Sequence, residues 1–141
     1  MIDSHCHLDL PEFEPDWQDV LNSAVKQGVE RILIPGTAVS GWQRQQRMAA
    51  DNAQLDVAFG LHPYFFPDDP ERALAALGKQ LQTTTIKPIA IGEIGIDGSI
   101  DTPLKAQQAL FEAQLEVASE QSMPIILHHR RSHHLLLESI K

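Results

Sequence analysis

His5 and His7 are the first residues of the chain whose type and spacing suggest chemistry. They are two positions apart near the end of the apolar run Met1–His7. If that run is a β-strand, both side chains point to the same face, because successive side chains alternate between the two faces. Two converging imidazoles make half of a metal site. So short a motif is weak evidence by itself, because such pairs are often structural.

Glu93 interrupts the apolar run Pro88–Asp97 at a position where another apolar residue is expected. A carboxylate inside an apolar strand is costly unless it is paired or binds a metal, so its presence indicates one of these two roles. The alternative to a metal ligand is a buried pair with an arginine. The adjacent Gly92 and nearby Gly95 would let ligands or substrate approach the backbone closely.

The apolar run Pro124–Arg130 ends in two histidines and an arginine. Strand alternation places His128 and Arg130 on one face and His129 on the other. His128 is therefore a candidate metal ligand. Arg130 would present a fixed guanidinium suited to gripping a phosphate group.

Two further polar residues end apolar runs, and each has two interpretations. His62 either bonds substrate or acts as an acid or base, or it caps the turn before Pro63. Asp97 either holds the second nitrogen of a ligand histidine or begins the next loop. The aromatic segment 64–66 either walls the site, stacks a base, or packs on a neighbouring helix.

Five apolar runs that resemble buried strands alternate with segments of helical periodicity, and strict alternation favours parallel pairing. The five runs are Met1–His7, Arg31–Gly36, Val57–Pro63, Pro88–Asp97 and Pro124–Arg130. Units of about 30 residues match a (β/α)8 TIM barrel of roughly 240 residues. We therefore predict that residues 1–141 are the N-terminal part of one α/β TIM-barrel domain, carrying its first five βα units. A complete flavodoxin-like sheet is the alternative.

Composition excludes several functional classes. The chain has 141 residues and a net charge of −8, which argues against a broad basic nucleic-acid footprint, so any such contact must be local and metal-mediated. Its single cysteine, Cys6, cannot form an internal disulfide, and no apolar run is long enough to span a membrane. We expect a cytoplasmic protein that does not bind membranes.

The motifs IDSHCH, GLHP, GEIGID and PIILHHR occur in this order across nearly the whole chain. Together they resemble the TatD family of metal-dependent deoxyribonucleases. The resemblance implies a TIM barrel of the amidohydrolase superfamily that binds one to three divalent metals. It also implies hydrolysis of DNA phosphodiester bonds by a metal-activated water, often as a 3′-5′ exonuclease.

By that resemblance, His5 and His7 would bind one metal, Glu93 would bridge to a second, and His128 would bind the second. His62 and Arg130 would contact the scissile phosphate, so that they and Glu93 form the catalytic set. Zn, Mn, Ni or Fe suits these ligands, and Mg suits them less well. The family also uses a later histidine and aspartate that would lie beyond the last residue of this chain. Where this chain has Ser132 and His134, the family usually has threonine or alanine and then an acidic residue.

The predicted function is a metal-dependent hydrolase with DNA as substrate, although we expect the 141-residue chain itself to be impaired. Another amidohydrolase-type activity on esters, lactones or amides is one alternative. The other is a non-catalytic truncated fragment that self-associates through its first and fifth strands. This alternative assumes apolar surface partly open to water, contributed by Ile32, Ile34, Ile89 and Ile91.

Overall fold

The computed structural model describes all 141 residues, in which five strands alternate with five α-helices. The strands are β1 (Ile2–Asp3), β2 (Arg31–Ile34), β3 (Leu55–Phe59), β4 (Ala90–Asp97) and β5 (Ile125–Arg130). The helices are α1 (Trp17–Lys26), α2 (Val39–Asp51), α3 (Pro70–Thr83), α4 (Leu104–Glu120) and α5 (His133–Ile140). Two short 3-10 helices lie at Pro11–Phe13 and Pro63–Phe65.

The sheet has the strand order β1-β2-β3-β4-β5, and every neighbouring pair is parallel. Each strand therefore lies beside the one that precedes it, as in the first five units of a TIM barrel. A flavodoxin-like sheet has the order 2-1-3-4-5, with β1 inside the sheet. The observed order confirms the predicted fold class and shows that the flavodoxin-like alternative is wrong.

The sheet and its helices enclose two apolar clusters. The larger one joins β2 and β3 to α1, α2 and α3 through residues such as Leu21, Trp42 and Leu77. The smaller one joins β4 to α4 and α5 through Phe111 and Leu136. These clusters keep the strands fixed from the helical side, so the strand ends form a stable rim.

The expectation that four strand isoleucines are partly open to water is wrong for three of them. Ile32 and Ile34 are buried in the larger cluster and Ile91 in the smaller one, because they pack together with residues of the helices. Ile89, which is 46% exposed, is the one that meets the expectation.

Three strands end earlier than the apolar runs of the sequence suggest, namely β1 at Asp3, β2 at Ile34 and β3 at Phe59. β1 stops at Asp3, whose carboxylate accepts a hydrogen bond from the His5 N–H at 3.1 Å and so replaces strand pairing by a local turn. The Cys6 N–H still donates to the Leu33 carbonyl at 3.0 Å, which keeps the segment beside β2. His5 and His7 therefore lie after the strand and not within it.

The helix ends largely follow the sequence signals. Gly28 has φ +89° immediately after α1, which is the conformation expected of a glycine at a helix end. The sequence places Pro15 and Pro103 in the first turns of the first and fourth helices, but Pro15 lies two residues before α1 and Pro103 directly before α4, as Ser132 does before α5. None of the helices combines the length and the apolar character that crossing a bilayer requires.

Candidate metal centre

One oxygen of Glu93 meets the two histidines that follow β1. Glu93 Oε2 lies 2.9 Å from His5 Nε2 and 3.1 Å from His7 Nε2. The two histidine nitrogens are 3.3 Å from each other. Three donor atoms from two distant parts of the sequence thus converge on one point at the end of the sheet.

The other oxygen of Glu93 meets a second pair of histidines. Glu93 Oε1 lies 3.1 Å from His128 Nδ1 and 3.4 Å from His62 Nε2. The rings of His62 and His128 are in contact, with centroids 4.3 Å apart. The carboxylate of Glu93 therefore stands between two groups of imidazoles and presents one oxygen to each.

The spacing of the first group fits a metal ion. Tetrahedral ligands at the usual 2.0–2.1 Å from zinc lie about 3.3 Å from one another. The distances among His5 Nε2, His7 Nε2 and Glu93 Oε2 run from 2.9 to 3.3 Å, so these atoms could bind one ion with little movement. Glu93, His62 and His128 form a second candidate group of ligands.

Asp97 holds the far side of His128. Its Oδ2 lies 2.9 Å from His128 Nε2, while its Oδ1 accepts a hydrogen bond from the Ser99 N–H at 2.8 Å. Burial raises the pKa of the Asp97 carboxyl, but the bonds from Ser99 and His128 outweigh it and bring the pKa to about 2. An ionised Asp97 accepts a hydrogen bond from Nε2–H of His128, which leaves Nδ1 to face a metal beside Glu93.

The ring of His62 is oriented by a hydrogen bond that it accepts, whereas that of His128 is oriented by one that it donates. His62 Nδ1 accepts a hydrogen bond from the Tyr64 N–H at 3.0 Å, at the start of the 3-10 helix. The neutral ring must therefore carry its proton on Nε2, the atom that faces Glu93. This arrangement makes His62 a hydrogen-bond donor at the rim and a poor metal ligand. The turn-capping interpretation of His62 is confirmed, whereas its role toward substrate stays a prediction.

Glu93 is ionised in this environment. Burial raises the pKa of its carboxyl, but hydrogen bonds from His128, His62 and His7 outweigh burial and hold the pKa well below its ordinary value. The same contacts raise the pKa of His7 and of His128, against the opposing effect of burial. The four ion pairs of Glu93 all involve histidines, so the alternative of a buried pair with arginine is wrong.

Arg130 is the one predicted site residue that the structure does not bring into contact with this cluster. Its side chain is exposed at the end of β5, two residues beyond His128, and makes no ion pair. His129 is also exposed, and its ring contacts that of His133 at a centroid distance of 5.5 Å. Cys6 is half-buried against the larger core cluster, and burial raises the pKa of its thiol.

The glycines of β4 have a different purpose from the one expected. Gly92 and Gly95 have φ of +154° and +150°, and a Cβ on either would collide with β5. On Gly95 it would lie 2.0 Å from the His128 carbonyl oxygen. These glycines therefore allow β5 to approach closely, and not a ligand or substrate as the sequence suggested. That approach brings His128 beside Glu93.

Several residues near the site were not identified from the sequence. Gln107 and Gln114 of α4 are fully buried and hydrogen-bond to the backbone of Asp97 and Leu61. Asp9 is buried two residues after His7, and burial raises its pKa to about 6. A usable signal exists for the glutamines, since they fall on the apolar stripe of α4 with Leu110.

Comparison with known proteins identifies the same family that the motifs resemble. The family model described as TatD related DNase matches residues 2–141. The "uncharacterized metal-dependent hydrolase YjjV" of Escherichia coli K12 is 36% identical over 141 residues, covering 99% of this chain and 54% of YjjV. The "3'-5' ssDNA/RNA exonuclease TatD" of Klebsiella pneumoniae is 33% identical over 145 residues, covering all of this chain and 53% of the relative.

A solved structure agrees with the fold. The crystal structure of E. coli YjjV, described as a TatD homologue, superposes with a TM-score of 0.88 at 36% identity. The match covers 95% of this chain and 52% of the YjjV chain. The chain thus spans about half the length of the curated relatives it matches.

Proposed function

Because the chain belongs to the TatD-related DNase family, we propose that it supplies the metal site of a hydrolase that cleaves nucleic-acid phosphodiester bonds, with DNA as substrate. In this proposal His5, His7 and Glu93 bind one divalent ion, and Glu93 and His128 bind a second. Zinc, manganese, nickel and iron suit these ligands best. The bound metals supply Lewis acidity that activates water and neutralises charge on the phosphate.

The observation that carries the proposal is the position of Glu93. Its two oxygens are directed to two different groups of histidines, at 2.9 to 3.1 Å on one side and 3.1 to 3.4 Å on the other. A structural carboxylate needs only one compensating charge when it is buried. Four imidazoles around one carboxylate are more than packing requires, and they suit a bridge between two cations.

His62 and Arg130 would act on the substrate and not on the metal. The tautomer set by Tyr64 places the His62 proton on Nε2, where we expect it to exchange its partner Glu93 for a phosphate oxygen when substrate binds. Arg130 extends from the same strand as His128, where an exposed guanidinium can bind a phosphate with two hydrogen bonds. These two donors and Glu93 form the proposed catalytic set.

An exposed aromatic pair lies beside His62. Tyr64 is 65% and Phe65 is 42% exposed, and the Phe65 ring contacts the His62 ring edge-on with centroids 5.9 Å apart. Aromatic side chains stack on unpaired bases without regard to sequence, which suits a single-stranded end. The net charge of −8 also favours capture of such an end at a local site over binding along a basic groove.

Two further proposals concern the surroundings of the protein. We propose a cytoplasmic location, since the one cysteine is a free thiol next to the site and would be kept reduced there. We also propose that the 141-residue chain self-associates. Its outer strands β1 and β5 each have one unpaired edge, and Ile2 of β1 and Leu127 of β5 are exposed.

The proposal is tested first by metal binding to the 141-residue chain. Equilibrium dialysis against Zn²⁺ or Mn²⁺ should give two ions per chain. Glu93→Gln, which keeps the volume and removes the charge, should lose them. Glu116→Gln on the exposed side of α4 is the control for loss of one negative charge, and it should bind as the parent does.

A nuclease assay completes the test. With a labelled single-stranded oligonucleotide, we expect slow cleavage that requires the metal and is absent in Glu93→Gln. A panel of esters and lactones should not be hydrolysed. Binding of no metal by the parent chain, or lactone hydrolysis without DNA cleavage, would overturn the proposal.

A further inference from the structure

We propose that Gln107 and Gln114 of α4 are positioning residues, Gln107 for His128 through Asp97, and Gln114 for His62 through Leu61. The proposal rests on the function proposed above, because it assigns these amides to the same metal site. Neither residue contacts the histidine it positions. Gln107 bonds to the backbone of Asp97, and Gln114 bonds to the backbone of Leu61, which directly precedes His62.

Gln114 forms a two-point contact with the backbone of Leu61. Its Oε1 accepts from the Leu61 N–H at 2.7 Å, and its Nε2 donates to the Leu61 carbonyl at 3.2 Å. Leu61 directly precedes His62 and lies two residues beyond the end of β3. The side-chain amide therefore pairs with a peptide group that no neighbouring strand reaches.

Gln107 forms the same contact with the backbone of Asp97. Its Oε1 accepts from the Asp97 N–H at 2.8 Å, and its Nε2 donates to the Asp97 carbonyl at 3.1 Å. β3 does not extend far enough to pair with this end of β4, so the amide takes the place of a strand. The Asp97 side chain then holds His128 Nε2 at 2.9 Å.

The spacing of the two glutamines explains how one helix serves both places. They are seven residues apart, which is about two turns, so both lie on one face of α4 about 10.5 Å apart along its axis. Both side chains are 1% exposed. Burying two amides on an apolar stripe is costly unless every donor and acceptor is bonded, and in both residues each amide is bonded through its oxygen and its nitrogen.

The third buried glutamine provides a matched control. Gln45 of α2 is fully buried and its Nε2 donates to the Ile34 carbonyl at 3.1 Å. Its Oε1 has no hydrogen-bond partner, and it does not contact the backbone of a site residue. Gln45→Met removes a buried amide and its bonds, as Gln107→Met and Gln114→Met do, but those bonds go to Ile34 and Ala58 and not to the backbone of Asp97 or Leu61.

The experiment records the ring-nitrogen NMR signals of the histidines in the metal-free 141-residue chain at one fixed pH. Gln114→Met should shift the signals of His62 more than those of His128, and Gln107→Met should do the reverse. Gln45→Met should leave both close to their positions in the parent. Equal shifts in all three variants would show that the glutamines only pack the core, and would overturn the proposal.

Zinc affinity gives a second readout. Gln107→Met should weaken zinc binding by about tenfold or more, as is usual when the group orienting a metal-binding histidine is disturbed. Gln114→Met should leave zinc affinity close to that of the parent, because His62 is a donor and not a ligand. A drop of the same size in Gln114→Met and Gln45→Met would contradict the assignment.

Two measures keep the test decisive. Should a methionine variant fail to fold by circular dichroism, the asparagine variant at that position replaces it, because it keeps a neutral amide but is one methylene too short to make the same two backbone hydrogen bonds. The same selective shifts are then expected. A parent chain that binds no zinc would refute the proposed function, while the NMR comparison would still decide the positioning roles.

Discussion

Replacement of Gly95 by alanine tests how closely β4 and β5 must approach to build the site. Gly95 pairs with His128 in the sheet and lies two residues after Glu93. Its φ of +150° is a conformation that residues with a side chain rarely adopt. An added Cβ would lie 2.0 Å from the His128 carbonyl oxygen, which belongs to backbone and cannot rotate away.

The cost can be worked from two contributions. A residue with a side chain in this region of backbone conformation loses about 1–3 kcal/mol. Forcing an extra carbon between two packed strands costs about another 1–3 kcal/mol. The sum, about 2–6 kcal/mol, is a large part of the 5–15 kcal/mol by which a domain is usually stable. We therefore expect Gly95→Ala to unfold at much lower urea and to bind zinc weakly, because His128 moves with β5.

Gly78→Ala is the matched control for this experiment. Gly78 lies inside α3, and nothing stands within 4 Å of the position its Cβ would take. The exchange should raise the free energy of unfolding by about 1 kcal/mol, since alanine favours a helix over glycine. Urea unfolding followed by circular dichroism measures both variants. A Gly95→Ala chain that unfolds at the same urea concentration as the parent, with an unchanged slope, would refute the reasoning.

Three other variants test neighbouring parts of the structure. Asp97→Asn should weaken zinc binding by about 10- to 100-fold, because the amide no longer supplies the charge that holds His128. Competition with a chromophoric chelator measures the zinc affinity, and an unchanged affinity would show that Asp97 only begins the loop. Arg130→Lys should weaken binding of single-stranded DNA more than it lowers metal content, since lysine keeps the charge but loses the paired N–H donors of the guanidinium. Equal loss of DNA binding and metal content would show that Arg130 has a structural role. Leu127→Lys should shift the chain toward the monomer in sedimentation experiments, and a parent chain that is already monomeric would contradict self-association.

Strand alternation predicted the part of the site that lies in regular sheet. Glu93 and Asp97 are four residues apart in β4, so their side chains point to the same face of the sheet, and both contact His128. The same rule predicts that His5 and His7 point to one face, but for these two residues it gives the wrong cause. They converge because of local hydrogen bonds after β1, which depend on the turn at Asp3 and could not be inferred from a periodicity.

The buried amides show what a position on the apolar stripe of α4 does not reveal, namely which groups the buried amides bind. Glutamine is usually a surface residue, so Gln107 and Gln114 indicate no chemistry by type. Their meaning depends on how far β3 extends beside β4, because they replace strand partners that are missing at Leu61 and Asp97. Strand length is decided by tertiary contacts. The prediction for the glycines is wrong for a related reason, since the group that approaches Gly95 is the carbonyl of a strand and not a ligand.

The single carboxylate between the two histidine groups has a thermodynamic consequence. Ions held on the two sides of Glu93 would share one charge and one side-chain orientation, so occupancy of one position must change the affinity of the other. Such a coupling is reciprocal, because the factor by which the first ion alters the binding of the second equals the factor in the opposite direction. If two ions bind as proposed, a titration of this chain would report two macroscopic constants that belong to the pair of positions and to neither position alone.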